Sequence, residues 1–526
     1  MQEFIAKFGE KINGVLSGFD RLVFRGHLRG ISYVRGMQRY LWANQVLNKE
    51  FGAHAEKVTE RLKEGSLALA RELQRPIQYL ASSKISKEDV ARSIAARDGI
   101  TCGPVCVLTS VEPCWSFDVY KNRETKKLDL VKRERHCLFL YHYWVHPVFG
   151  FMNARIQSWF PFPIQICLNG REWLARQMDS TGLSYVKQDN CFPWVEDWGR
   201  AQQLMDSQLQ MDWPQLLNNI ARQLNPIHEQ VFAKYPLSYY WSTHQSEWAS
   251  DVVFREAAVL RRLHPRLLRH GMTALGSTDV MRFLGRRIPR SGEVPKRFNG
   301  EVVSDVKERE EGVRLKHCVN GNSEKLYDKA YTEVGSVLRP ECTIHQVNDI
   351  RTYRPKEGDP DGPLAWRPMR RGIADLHRRA EVSQKANERY LDALASVDES
   401  ATIAELTASL TRAVNWNGQR VRALRPLDAD DSALLEAVGR GEFVINGLRN
   451  RDLQQLLFPR SDTLTPQEAK RRSAQVSRKL RMLRAHGLIQ KVPRTHRYQV
   501  TAAGRKAITA ILTARQATVA HLTKAA

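Results

Sequence analysis

The four residues Thr465-Pro466-Gln467-Glu468 leave the chain little conformational choice. A threonine that accepts from the third helical amide, a proline whose φ suits the first turn and a glutamate that reaches back together make a capping box. A helix is predicted to open there, and Val476, Leu480 and Leu483 recur at the spacing of a buried helical face. Its other positions carry Arg471, Arg472, Ser473, Gln475, Arg478, Lys479, Arg481 and Arg484. Guanidinium forks for phosphates and guanine edges, with an amide for adenine, are what a helix in a major groove requires.

The flanking residues extend this pattern into a domain starting near Pro426. Asp428 caps a first helix containing Leu434, Leu435 and Val438, and FVINGLRNRDLQQLLF supplies a second. HGLIQKVPRTHRYQVTAAGR reads as strand, basic turn, strand and final helix, with Lys491, Arg494, His496 and Arg497 available to a phosphate backbone and Tyr498 and Val500 turned back. The order is that of a winged helix-turn-helix.

From Ala469 to Ala526 there are fourteen Lys and Arg and no Asp or Glu, and the whole chain carries 81 basic against 57 acidic residues, a formal net charge of +24. Like charges weaken a compact state, so a polyanionic partner is the better explanation. A membrane is the rival polyanion, but no apolar run is long enough to span a bilayer and MQEFIAKFGEKINGVL lacks a signal-peptide core. A cytoplasmic, nucleoid-associated location is expected.

The motif "leucine, two residues, leucine-arginine", then glycine-leucine-isoleucine, tyrosine-x-valine-threonine and glycine-arginine, over residues 426–515, resembles winged-helix regulators of the multiple-antibiotic-resistance type. The segments GFDRLVFRG, DVMRFLGRR and GVRLKHCVNGNSEKLYDKAYTEVGSVLRPECTI resemble a family of uncharacterised bacterial proteins that end in the same winged helix. That resemblance implies an architecture and a bacterial origin, but no mechanism. A homodimer is a guess from how such regulators assemble.

Patterning along the rest predicts an α+β multidomain chain. A mainly helical region spans residues 1–95, with one strand-like stretch, Phe19 to Phe24. A β-rich α+β module covers 96–185, where PVCVLTSV, WSFDVY, HCLFLYHYWV, FGFMNARIQSWF and PIQICL predict a mostly antiparallel sheet closed by a helix near Gly170. Residues 186–300 read as helical, 301–357 as a second β-rich segment and 358–425 as a linker, Gly358 to Pro363, followed by a helix over about 371–396. Residues 426–526 are the winged helix.

Chemistry in the N-terminal modules is less marked. A metal-dependent nuclease or transposase of the ribonuclease-H type needs acidic side chains gathered at strand ends to hold Mg2+ or Mn2+ ions about 4 Å apart. Asp20, Asp251 and Glu341 are the candidates, each beside or within a β-like run; Asp118 and Glu247 fit almost as well. Tyr327, flanked by lysines, could attack a DNA phosphate, but the His-apolar-His pair that such initiators need is absent from the sequence, and a packed strand residue is the plainer reading. His142 and His146, on a strand, stand about 13 Å apart, too far to share a metal. Trp144, Phe149, Phe151, Trp159, Phe160 and Phe162, interleaved with Arg155 and Gln157, are either core or a stacking surface for single strands. The eight cysteines contain no CxxC pair and read as reduced thiols. Phosphate-loop, dinucleotide, HExxH and GxSxG motifs are absent from the sequence.

The first expectation is a nucleic-acid-binding protein that holds duplex DNA through its winged helix, in transcriptional regulation or mobile-element maintenance. The alternatives are the metal-dependent nuclease or transposase, with Mg2+ or Mn2+, and an RNA-binding or single-stranded-DNA-binding protein.

Overall fold

The computed structural model describes residues 1–285, 301–309, 312–395, 403–440, 443, 447–458 and 465–516, apart from positions 83, 125, 349, 357 and 494. Two compact units are each built from discontinuous stretches. Ile12–Arg255 and Lys329–Gln384 form the larger; Met1–Lys11, Glu256–Asp328 and Lys385–Ala526 form the smaller. The six consecutive regions drawn from composition do not coincide with these units, because local patterning carries no record of which distant strands pair.

The larger unit begins with β1 (Ile12–His27), β2 (Ile77–Tyr79), β3 (Gly103–Lys121), β4 (Leu128–His146), β5 (Gly150–Gln157), β6 (Ile164–Asn169), the short pair β7 (Tyr185–Gln188) and β8 (Cys191–Val195), and β9 (Tyr240–Phe254). After β10 (Val302–Arg309), β11 (Gly312–Val319) and β12 (Asn322–Tyr331), it gains β13 (Ser336–Ile344), β14 (Arg351–Arg354) and β15 (Ala365–Pro368). Its main sheet runs in the order β13-β9-β1-β6-β5-β4-β3-β2. Neighbours are antiparallel except β2 and β3. The mixed α/β class with a large sheet follows, and β1, read locally as one short strand among helices, lies well inside it.

Helices α1 (Val34–Ala43), α2 (Phe51–Glu72), α3 (Gly170–Thr181), α4 (Trp198–Ser207) and α5 (Trp213–Leu224) belong to the same unit. In α5, Leu217, Ile220, Ala221 and Leu224 are buried, the i, i+3, i+4, i+7 stripe of a helix laid on a core. That core also holds Phe19, Phe24, Tyr40, Phe51, Phe160 and Trp241. The helix α3 starts where Gly170 follows the last residue of β6. The Gly358-to-Pro363 segment, expected as an interdomain linker, lies instead in the connection closing the β14–β15 hairpin, whose strands pair from Arg351 with Pro368 to Arg354 with Ala365.

In the smaller unit β10 and β11 pair antiparallel, as do β11 and β12. Its C-terminal part contains the strands β16 (Val414–Trp416) and β17 (Gln419–Val421), then α6 (Ala429–Val438), α7 (Asn450–Leu457), α8 (Pro466–Ala485), the hairpin β18 (Ile489–Lys491) and β19 (Tyr498–Val500), and α9 (Ala502–Gln516). Leu448 adds a bridge to Tyr498. Leu434, Leu435, Leu453, Val476, Leu480, Leu483, Ile489 and Ile508 share one core. Among the described residues no helix is long and apolar enough to cross a membrane. None of the eight cysteines is in a disulfide.

Candidate functional site

The pairing of β1 with β9 passes from Phe19 opposite Trp248 to Arg21 opposite Glu247, so Asp20 is the extra residue of a β-bulge. Bulges re-aim a side chain at the cost of one ladder position, and they gather at functional sites. On the other edge of β9, Glu341 lies opposite Ala249 and Thr343 opposite Glu247. With a side-chain period of two, Glu247, Asp251, Arg339 and Glu341 fall on one face of the sheet.

Three carboxylates converge there. Asp20, Glu247 and Glu341 each offer an oxygen within 4.8 Å of the other two. Of the residues singled out from the sequence, Asp20 and Glu341 therefore meet, and their third companion is Glu247. Asp251 is engaged otherwise: Arg339 donates to it twice, Nε to Oδ1 at 2.5 Å and Nη2 to Oδ2 at 2.8 Å. Asp118, the other alternative, is paired with Arg133 and Arg135.

The surrounding residues hold this arrangement in place. Asn169 caps α3 by accepting from the amides of Arg171 and Glu172, which sends the buried Arg171 beneath the sheet. There its Nη2 donates to Ala249 O at 3.0 Å and lies 3.4 Å from Asp251 Oδ2. A Cβ on Gly170 would lie 2.0 Å from the Phe19 carbonyl oxygen, so only glycine lets α3 start this close to the bulge. Asn190, between β7 and β8, donates Nδ2 to Asp20 Oδ2 at 2.7 Å and accepts from Lys329 Nζ at 3.3 Å. Arg339 Nη2 also donates to Asn190 O at 2.6 Å, and its Nη1 stands 3.5 Å from Asp20 Oδ2.

Asp20 Oδ1 is buried without a hydrogen-bond partner, and so are Nε and Nη1 of Arg171. Burial pushes the Asp20 carboxyl above its usual range; Arg339 opposes this, and the charges of Glu341 and Asp251 add to it. Burial acts on Asp251 in the same sense, but Arg339 and Arg171 together hold it below the usual carboxylate range. Two acids on one sheet face are thus driven in opposite directions, the condition under which one takes up a proton or a cation while the other stays a fixed anion.

The second set of candidates lies on α8 and the β18–β19 hairpin. Thr465 Oγ1 accepts from the Glu468 amide at 3.3 Å and Glu468 Oε2 accepts from the Thr465 amide at 3.0 Å. Val476, Leu480 and Leu483 are buried. The basic positions do not share one face. Arg471 and Arg478 are exposed, as are Lys491 and His496 on the hairpin. Gln475 and Lys479 line a cavity of about 480 Å³ with Asp430, Glu436 and Leu457, and Lys479 Nζ lies 3.5 Å from Asp430 Oδ2. Arg472 stacks over Phe458 at 5.2 Å. Arg484 stacks over Trp416 at 4.9 Å and Arg481 donates to Gln419. Arg497 is half-buried, and Arg494 lies outside the described residues.

The remaining candidates are structural in their placement. Tyr327 is 6% exposed on β12, opposite Arg314. His142 Nε2 bonds Ser66 Oγ, whereas His146 Nδ1 accepts from the amides of Val148 and Phe149. Burial lowers the His142 pKa to about 4. Phe149, Phe160 and Phe162 are buried, and the Gln157 amide holds the carbonyls of Trp159 and Phe160, so this row packs the core.

Arg171 and Asn190 were not singled out from the sequence. Arg339-Pro340-Glu341 carries a period-two signal, two charged residues on one face of an otherwise buried strand, but its meaning depends on what lies opposite.

No family model matches the chain, and no curated protein matches it. Among solved structures it is similar to the di-domain ARO/CYC BexL from the BE-7585A biosynthetic pathway, at 10% identity and a TM-score of 0.16 over 59% of this chain and 93% of that one. A likeness of that size carries no argument about fold or function.

Proposed function

We propose that this chain is a nucleic-acid-binding protein that holds duplex DNA through a C-terminal winged helix, in transcriptional regulation or mobile-element maintenance. The observation that carries this reading is the surface of α8. Lys470, Arg471, Ser477 and Arg478 are exposed along a capped helix whose opposite face is buried. The order α6, α7, α8, hairpin, α9, with Leu448 bridging to Tyr498, supports the winged-helix assignment. Lys491 and His496 on the exposed hairpin are in keeping with a wing that meets the phosphate backbone. Titration of fluorescent duplex DNA with the intact protein at two salt concentrations tests it: steep salt dependence that flattens in Arg471→Ala and Arg478→Ala is expected. Wild-type affinity in both variants overturns it.

A second reading, a metal-dependent nuclease or transposase targeted by that winged helix, is favoured by the convergence of Asp20, Glu247 and Glu341. The buried, unsatisfied Oδ1 of Asp20 fits a hard divalent cation such as Mg2+ or Mn2+, for which carboxylate oxygens are the natural ligands. Asp20, Glu247 and Glu341 would hold the ion; Arg339 and Asn190 position Asp20, and Asp251 fixes Arg339. Bound there, the cation would supply Lewis-acid polarisation of a phosphate oxygen. Cleavage of supercoiled and linear DNA with Mn2+, lost in Glu341→Gln, supports this reading; the absence of cleavage across these substrates overturns it.

A further inference from the structure

Most large aromatic side chains of the larger unit are core. Tyr353 and Trp366 are 55% and 65% exposed. They lie directly opposite each other on β14 and β15, with ring centroids 5.6 Å apart at 51°. Other exposed aromatics, Trp42 and Trp115 among them, stand singly; among the described residues only this exposed pair is in ring contact. A cross-strand aromatic pair steadies a hairpin, but that role is fulfilled by the contact between the rings and leaves the outer surface of both in water.

The hairpin is anchored from its other side. Thr352 and Arg354 are buried, and Arg354 donates to the carbonyls of Pro355 and Pro368 and lies 3.8 Å from Asp375. Asp375, itself buried, also accepts from Arg370 and Arg378. One carboxylate therefore serves three guanidiniums, and the open face is held at a set angle by its buried face.

Arginines lie on the same strand and shortly beyond the hairpin. Arg351 is exposed on the same face of β14 as Tyr353. Arg371, three residues beyond β15, is exposed; its carbonyl accepts from the Thr243 amide and its guanidinium donates to Gln346. Arg25, half-buried on β1, donates to Gln165. Burial lowers the Arg25 pKa, and the charges of Arg155 and Arg371 add to this. Among the described residues no carboxylate pairs with Arg351, Arg371 or Arg25. Asp359 and Asp361 lie in the closing loop beyond Arg354 and Ala365, at the end of the hairpin nearer the aromatic pair and away from Arg351.

We propose that the exposed face of the β14–β15 hairpin is a base-stacking platform for single-stranded nucleic acid, with Tyr353 and Trp366 receiving bases and Arg351 and Arg371 the phosphates. Duplex bases are already stacked on one another and cannot use exposed rings in this way; unpaired bases can, and the neighbouring guanidiniums complement the backbone. The platform belongs to the larger unit and rests on residues distinct from those of α8, so it stands or falls separately from the winged-helix reading.

The test is fluorescence anisotropy of the full chain with labelled 20-mer oligo(dT), and with oligo(U) of the same length to separate DNA from RNA. A duplex is run beside them. Trp366→Ala and Tyr353→Ala are expected to weaken single-strand binding by roughly fivefold or more each, Trp366→Phe to retain most of it, and Arg351→Ala to flatten its salt dependence. Duplex binding is expected to be unchanged. Arg351 is exposed, so that variant remains informative if the aromatic substitutions unfold the hairpin. Wild-type affinity for both oligomers in the Tyr353→Ala/Trp366→Ala double variant overturns the proposal. So does self-association of the wild type that disappears in Trp366→Ala, which would make the face a contact between copies.

Discussion

Arg339 meets Asp251 through two hydrogen bonds, 2.5 and 2.8 Å long, at a point where both side chains are almost wholly excluded from solvent. Such a pair contributes little net stability when intact, because desolvation offsets the attraction, but breaking it strands a charge. Arg339→Met is therefore expected to destabilise the larger unit by about 3–5 kcal/mol, read as a lower urea midpoint. The double variant Asp251→Asn/Arg339→Met should recover part of that loss; an equal or greater loss would remove the pair as the cause.

The pH dependence of the same unit follows from the two aspartates. Asp251 titrates lower folded than unfolded, so its contribution is present above the unfolded carboxylate pKa and is lost as pH falls through the folded value. Asp20 titrates higher folded than unfolded, so its contribution is present below the unfolded pKa and is lost as pH rises through the folded value. Asp251→Asn should thus cost stability at pH 7 and progressively less in acid, measured by thermal unfolding across pH 3 to 7.

Asp20→Asn should behave differently. The ionised Asp20 carboxylate is disfavoured by burial and by Glu341, so the neutral amide is expected to leave the melting temperature at pH 7 unchanged or raised. Binding of Mn2+, followed by electron paramagnetic resonance of the free ion, should be lost. Retained Mn2+ binding would place the cation elsewhere.

Gly170→Ala would put a methyl group 2.0 Å from the Phe19 carbonyl oxygen, a backbone atom that cannot step aside cheaply. A loss of about 1–3 kcal/mol is expected from such overpacking, seen as a lower urea midpoint. The displaced bulge should also weaken Mn2+ binding.

The basic residues of α8 should separate into two groups. Arg471→Ala and Arg478→Ala are expected to lower duplex affinity and reduce the salt slope by about one each, with the melting temperature kept. Lys479→Ala and Arg484→Ala should act more on stability, because Lys479 faces Asp430 and Arg484 covers Trp416. Calorimetry beside the binding titrations distinguishes the groups.

Much of the C-terminal part was legible in residue order because its determinants are local. A capping box, a proline at the first helical position and apolar residues at helical spacing specify α8 within twenty residues of chain. The antiparallel strands β3 to β6 and the helix starting at Gly170 were legible for the same reason: alternation, turn residues and an asparagine cap act between neighbours. Charge imbalance likewise is read from composition and needs no structure at all.

What only the tertiary structure decided is which distant residues meet. Asp20, Glu247 and Glu341 come from three strands, of which β1 precedes the other two by more than two hundred residues, and the register of β1, β9 and β13, with a bulge at Asp20, selects them. That register is set by the long-range fit of buried faces, since a one-residue slip would exchange every side chain between core and open face. The same dependence withdrew Asp251 from the acidic trio, by placing Arg339 against it, and sent Phe149, Phe160 and Phe162 into the core while leaving Tyr353 and Trp366 outside. A residue's type states what it can do; burial and partners, which arise only when remote strands pair, decide what it does.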